Sequence, residues 1–216
     1  MATIINASTS TGLIQTADTS GVLQLQSNGT TILQANSASA TGLLGGVIQP
    51  YQYYQLNAAS TGSNVSTAQS MFGVGVTLAA SKIYEFEIMS AISLTAGATA
   101  HTIATGFGGT ATLNNIGYQA YIVDDTSFTG TSNTSHASRG NYISTATATV
   151  LCGSSTSTNY VLMLKGTVSV NAAGTFIPQY TFSAAPGGTP STQIGSYFKI
   201  SQLAASGANV NIGTWS

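Results

Sequence analysis

Apolar residues in this chain recur at every second position and almost nowhere at helical spacing, which limits it to folding as strands. Between Lys82 and Ile88, the side chains of Tyr84, Phe86 and Ile88 fall on one face, and Ile83, Glu85 and Glu87 fall on the other. Comparable runs are Met71 to Leu78, Lys82 to Ile92, Ala100 to Phe107, Ile116 to Val123, Tyr142 to Cys152, Tyr160 to Val170, Thr175 to Phe182 and Ser196 to Leu203. Strands spaced this way with loops between them predict a sandwich or jelly roll. Tyr160 to Leu164 is apolar on both faces, as expected of a central strand. In the last run Tyr197 and Lys199 share one face, Phe198 and Ile200 the other.

The N-terminal part reads differently. Short strands are expected at Thr3 to Ala7, Gly12 to Thr16, Gly21 to Gln26 and Thr30 to Ala35, with Asn28-Gly29 as a hairpin turn because both residues tolerate positive φ. Leu23 and Leu25 alternate with Val22, Gln24 and Gln26, so one hairpin carries too little apolar surface to stand alone. The small residues of 37 to 46 suggest a linker. Val47 to Leu56, rich in tyrosine, opens the second region, followed by a polar loop from Asn57 to Ser70. Further on, Val168 to Ile177 reads as a hairpin turning at Asn171 to Gly174, and Pro178 marks its outgoing strand as an edge or a bulge. Ala185 to Pro190 reads as a loop. The expected organisation is all-β: a hairpin-rich attachment or intertwining segment over 1–46, then an antiparallel jelly-roll sandwich over 47–216.

Charge is the other constraint. Only nine of the 216 residues are charged, four basic and five acidic, where an ordinary domain carries about a quarter. With a hydrophobic fraction of 43% and a net charge of -1, disorder is excluded by composition and copies of the chain do not repel one another. Four scattered basic residues cannot neutralise a run of phosphates or hold an anionic membrane, so no nucleic-acid partner is expected. No apolar run approaches the roughly 20 residues of a membrane-spanning helix, so no membrane insertion is expected. Met1 to Asn6 lacks the basic and apolar regions of a secretory signal, so synthesis in a cytoplasm is expected. The N-x-Ser/Thr triplets at Asn6, Asn28, Asn64 and Asn133 are those expected by chance in so Ser/Thr-rich a chain.

Few residues could carry chemistry. Cys152, the single cysteine, follows Val150 and Leu151 and reads as an inert buried thiol. His101 reads as a strand histidine satisfied by a hydroxyl, and His136 as a solvated or interface residue of a polar loop. Glu85 and Glu87, two apart on one face, fall near the spacing that glycoside hydrolysis requires, yet any alternating strand with two glutamates would do so. Pairing with Lys82, Lys165 or Lys199 at a subunit contact is the stronger expectation. Asp124-Asp125 could offer oxygen to a hard cation, but with no further acidic residues nearby it reads as a turn-initiating pair. No phosphate loop, Cys/His metal spacing or nucleophile elbow occurs, so no catalytic, cofactor-binding or metal-binding residue is assigned. Tyr51, Tyr53, Tyr54, Tyr118, Tyr121, Tyr142 and Tyr197 supply rigid amphipathic surface suited to packing, to interfaces or to stacking on host-surface glycan.

Ser10 to Gly21, running into Ser27-Asn28-Gly29-Thr30-Thr31, is similar to modules at the start of tailed-bacteriophage structural and fibre proteins. Residues 71 to 204 resemble the jelly roll of the tumour necrosis factor and complement globular-head superfamily. The resemblance lies in Ala80 to Glu87, Leu164 to Val168, Asn171 to Phe176 and Gly195 to Ile200. It implies a homotrimer packed about a threefold axis, with no shared catalytic residues to carry over, made in the host cytoplasm and residing in the virion with other virion proteins as partners. A surface fibre that adheres to host cells is the leading expectation, a capsid-decorating cement protein the alternative, and a glycan-cleaving spike or cellular adhesin less favoured.

Overall fold

The structure, a computed structural model, describes residues 51–125 and 139–211 together with the strand backbones of 23–27, 30–35, 40–41 and 47–48. The chain divides into two compact units, Met1–Gln49 and Pro50–Ser216. In the first, β1 (Leu23–Ser27), β2 (Thr30–Ala35), β3 (Ala40–Thr41) and β4 (Val47–Ile48) pair in that order. Ser27 faces Thr30 across β1 and β2, and the expected turn residues Asn28 and Gly29 lie outside the described residues. The hairpin is extended by two further strands of its own chain, and β3 lies inside the stretch expected to be a linker. The expected strands at 3–7 and 12–16 lie outside the described residues.

The second unit holds β5 (Gln52–Gln55), β6 (Ser60–Thr61), β7 (Gln69–Ser70), β8 (Val76–Leu78), β9 (Lys82–Leu94), β10 (Ile103–Gly108) and β11 (Thr112–Asp125). It continues with β12 (Arg139–Ile143), β13 (Thr149–Val150), β14 (Asn159–Ala172), β15 (Gly174–Phe182), β16 (Pro190–Thr192) and β17 (Tyr197–Ala205). Every described strand pair is antiparallel and no helix occurs among the described residues, so the fold is all-β. The larger sheet runs β12-β11-β14-β9, and the far side of β9 is shared by β17, which leads on to β5, and β16, which leads on to β6. The smaller sheet runs β13-β10-β15, with β7 and β8 sharing the far side of β15. β14 is flanked by β11 and β9, as expected of a strand apolar on both faces.

The two sheets are held together by an aromatic cluster. Phe86 and Tyr118 come from the larger sheet, Phe107 and Phe176 from the smaller. Phe107 stacks on Phe176 at 4.5 Å between centroids and meets Phe86 edge-on at 5.1 Å and Tyr118 edge-on at 5.2 Å. Gly166 lies in register between Phe86 and Tyr118, and a side chain there would collide with Tyr118. Its bare backbone leaves room for the two rings, whose centroids are 6.0 Å apart, to lean toward each other.

Three expectations are corrected. Val47 to Leu56 is not one strand: Val47–Ile48 belongs to the first unit and Gln52–Gln55 to the second, with Pro50, which has no N–H to donate, between them. Tyr142 to Cys152 is likewise split, β12 pairing in the larger sheet and β13 in the smaller. The turn at Asn171 to Gly174 exists, but β14 and β15 do not pair; they lie in different sheets, so the turn is a corner of the sandwich. Reciprocal hydrogen bonds between Thr110 and Thr175, and from the Ala172 amide to Thr112, tie that corner to the β10–β11 connection. Pro178, within β15, sends its carbonyl oxygen toward the β7 side, where it accepts from the Met71 amide. Its missing N–H therefore points into the interval between β7 and β8, where no neighbouring strand needs it.

Phe86→Ala is expected to cost about 3–5 kcal/mol, because it removes the ring that touches both sheets, while Met163→Ala on the outer face should cost under about 0.5 kcal/mol. Urea denaturation of the two variants measures the difference.

Candidate functional site

The outer face of the larger sheet gathers most of the chain's exposed functional side chains. Because side chains alternate, those pointing away from the core line up in rows across neighbouring strands. One row runs Tyr53 on β5, Lys199 on β17, Glu87 on β9, Lys165 on β14, Gln119 on β11 and Tyr142 on β12. The row above it places Tyr197, Met89, Met163 and Tyr121 side by side, and the row below it Ser201, Glu85 and Thr167. Six segments distant in sequence thus converge on one surface.

At its centre the Tyr197 hydroxyl donates to Glu87 Oε1 at 2.7 Å, and Lys199 Nζ lies 3.4 Å from Glu87 Oε2. The Tyr197 hydrogen bond, reinforced by Lys199 and Lys165, holds the Glu87 carboxyl below its usual 4.5 despite some desolvation. The same bond raises the Tyr197 phenol above its usual 10. Ser201 Oγ donates to Glu85 Oε1 at 3.3 Å. Lys199 also sits 5.6 Å from the Tyr51 ring centroid, and Tyr53 stacks on Tyr197 at 5.7 Å. Of the glutamates expected to pair with lysines, Glu87 does so within the chain, with Lys199 and electrostatically with Lys165, while Glu85 bonds Ser201. Lys82 pairs in register with Ala205 and lies on the opposite parity of β9 from Glu85 and Glu87.

Two shallow grooves cross this face. One, of about 200 Å³, is bordered by Tyr51, Glu85, Glu87, Lys165, Lys199 and Ser201. The other, about 440 Å³, is bordered by Met163, Tyr121, Tyr197 and Gln119, shares Glu87 and Lys165 with the first, and is more apolar. Beyond it Tyr142 is 77% exposed on the sheet's last strand, with Met163 at 52%. A general acid for glycoside hydrolysis needs a carboxyl that keeps its proton near neutrality. Glu87 is held in the opposite state, which suits only the ionised partner of such a pair.

The histidine, serine and aspartate that could suggest nucleophilic catalysis lie elsewhere, inside the sandwich. His101 is wholly buried just before β10, bridged to Ser155 through the backbone. The Thr99 carbonyl, which can only accept, lies 2.7 Å from Nδ1 and so fixes the proton there. Nε2 lies 2.7 Å from the Tyr160 hydroxyl, which supplies the hydroxyl expected to satisfy this residue. That hydroxyl also lies 2.9 Å from the Ser157 carbonyl oxygen, and burial pushes the Tyr160 phenol well up. Ser157 Oγ donates to Asp124 Oδ2 at 3.1 Å, so the serine addresses the aspartate and not the histidine. The group ties the segments around 99–102 and 155–160 to the core.

Asp124 is buried next to the end of β11, and the turn expected after Asp125 lies outside the described residues. Cys152 is buried as expected, beyond the end of β13. His136 lies outside the described residues. Among the described residues no three His, Cys, Asp or Glu side chains converge as a metal site would require. Sequence reasoning named the glutamates, lysines and tyrosines of the outer face but missed Met163, Ser201 and the burial of Tyr160 beside His101. Alternation marks Met163 as facing opposite Leu162 and Leu164, a signal that was present but outweighed by the apolar character of the run.

No protein-family model matches the chain, and no curated protein matches it significantly in sequence.

Because the folded state holds Glu87 ionised, its contribution to stability is complete above about pH 4.5 and is lost as the pH falls through its lowered folded value. Thermal melts between pH 6 and pH 3, on the order of the usual carboxylate range, should therefore show a smaller acid-side loss in Glu87→Gln than in the wild type. An identical acid profile for the two proteins would show that the Tyr197 and Lys199 contacts do not matter in solution.

Proposed function

We propose that this chain is a non-enzymatic structural protein of a tailed-bacteriophage virion, a homotrimer displayed on the particle surface as a fibre-like subunit that adheres to host cells. The observation that carries the reading is the outer face of the larger sheet, where Tyr121, Tyr142 and Met163 are exposed together in a chain with nine charges. Isolated exposed apolar residues are ordinary, but a cluster of them on one sheet face of near-neutral charge invites a second copy. Glu87 and Lys199 at its border already pair with each other.

The resemblance of the N-terminal text to phage fibre and structural modules supports the virion setting, and a separate N-terminal unit suits attachment to the particle. The chain's partners in this reading are other copies of itself and other virion proteins, with synthesis in the host cytoplasm.

Light scattering of the purified protein at micromolar concentration should give three times the chain mass of 21.8 kDa, and the double variant Met163→Lys, Tyr121→Lys should shift it toward the single-chain mass. A wild-type protein of single-chain mass would overturn the homotrimer. Antibody labelling of virions should place the protein at a few sites on the tail. Labelling that follows the capsid lattice would instead establish a decoration protein, and particles without label would end the virion reading.

A further inference from the structure

We propose that the groove bordered by Tyr51, Glu85, Glu87, Lys165, Lys199 and Ser201 is a binding site for an uncharged pyranose unit of a glycan. The proposal deepens the surface-adhesion reading and rests on it for the biological source of the sugar. The groove's chemistry is read from its own side chains.

The charges select the class of ligand. Two carboxylates and two ammonium groups share one groove, so neither an anion nor a cation gains from the site as a whole. An anionic sugar would be drawn to Lys165 and repelled by Glu85 and Glu87 in the adjoining rows. A neutral ring bearing hydroxyls suffers no such penalty, because each hydroxyl can donate to a carboxylate and accept from an ammonium group. Two of the four charged groups are free to do this. Lys165 forms no hydrogen bond or ion pair among the described residues, and Glu85 uses Oε1 for Ser201, leaving Oε2.

Tyr51 supplies the apolar half of the recognition. It lies at the groove's edge with 64% of its surface exposed. Lys199 approaches its ring at 5.6 Å, which helps fix its position. An exposed, oriented phenol ring can stack on the C–H face of a sugar in the way aromatic rings stack on other flat apolar surfaces. A peptide is a poorer occupant. The floor is the middle of a sheet, where β17, β9 and β14 already pair with one another and present no free edge for strand addition. At about 200 Å³ the groove is smaller than a typical drug-sized pocket and suits a single ring.

The site shares Glu87 and Lys165 with the apolar groove, whereas Tyr51, Glu85 and Ser201 belong to it alone and Met163 and Tyr121 to the other. The two ideas fail separately, one by loss of sugar binding and the other by particle mass.

Saturation-transfer NMR on the intact protein would use the methyl glycosides of glucose, galactose, mannose and N-acetylglucosamine at millimolar concentration, with N-acetylneuraminic acid and glucosamine as charged controls. At least one neutral glycoside should bind, and Tyr51→Ala and Glu85→Gln should each weaken it about tenfold. The exposed Ile194, in a turn away from the groove, serves as the control, and Ile194→Ala should bind as the wild type does. Unchanged light scattering and thermal melts in the two groove variants would show that the loss is local. Binding of the charged controls alone, binding indifferent to Tyr51→Ala, or no binding by any neutral glycoside would each overturn the proposal.

Discussion

The contact between Phe86, Tyr118, Phe107 and Phe176 is what the rest of the second unit depends on. A sheet with one apolar face cannot remain in water, and these rings give each sheet a partner for that face. Their edge-on and stacked approaches require close backbones, and Gly166 provides one of them by leaving no side chain between Phe86 and Tyr118. Once the inner faces are committed in this way, strand alternation decides everything outside. Glu85, Glu87, Lys165 and Lys199 are turned outward because Phe86, Leu164, Phe198 and Ile200 are turned in.

That coupling makes the working surface a by-product of core packing. A one-residue slip of β14 against β9 would bury Met163 and Lys165 and expose Leu162 and Leu164. The buried group around His101 and Tyr160 serves the same end at another place, holding loop backbone to the sandwich through His101 Nδ1–H on the Thr99 carbonyl and through the Tyr160 hydroxyl, whose one proton lies between His101 Nε2 and the Ser157 carbonyl. Residues that in a solvent-lined cleft would suggest catalysis are here enclosed and hydrogen-bonded within the core.

The strands were legible where alternation was long and uninterrupted. Lys82 to Ile92 was lengthened only to Leu94, and Thr175 to Phe182 only gained Gly174. The faces of Tyr84, Phe86 and Ile88 and of Tyr197 and Lys199 were readable from parity alone. Short pairings were not legible: Ser60–Thr61 and Gln69–Ser70 are polar pairs whose strand character comes entirely from neighbours far along the chain. The outer face was legible as a set of residue types but not as an arrangement, because its rows join positions more than a hundred residues apart, such as Glu87 and Lys199.

By itself the sequence determined that the chain is all-β, that its core is aromatic and aliphatic, and that its surface carries almost no charge. These are properties of composition and of period, which each segment expresses locally. Only the tertiary structure decided which sheet each strand joins. Tyr142 to Cys152 and Val168 to Ile177 keep their strand-like text through points where the chain crosses from one sheet to the other. Alternation records which side of a strand is apolar, and an apolar side fits equally well against either sheet's inner surface. The choice was made by packing between segments distant in sequence, and that same choice brought Tyr51, Glu85, Lys165 and Lys199 to one groove.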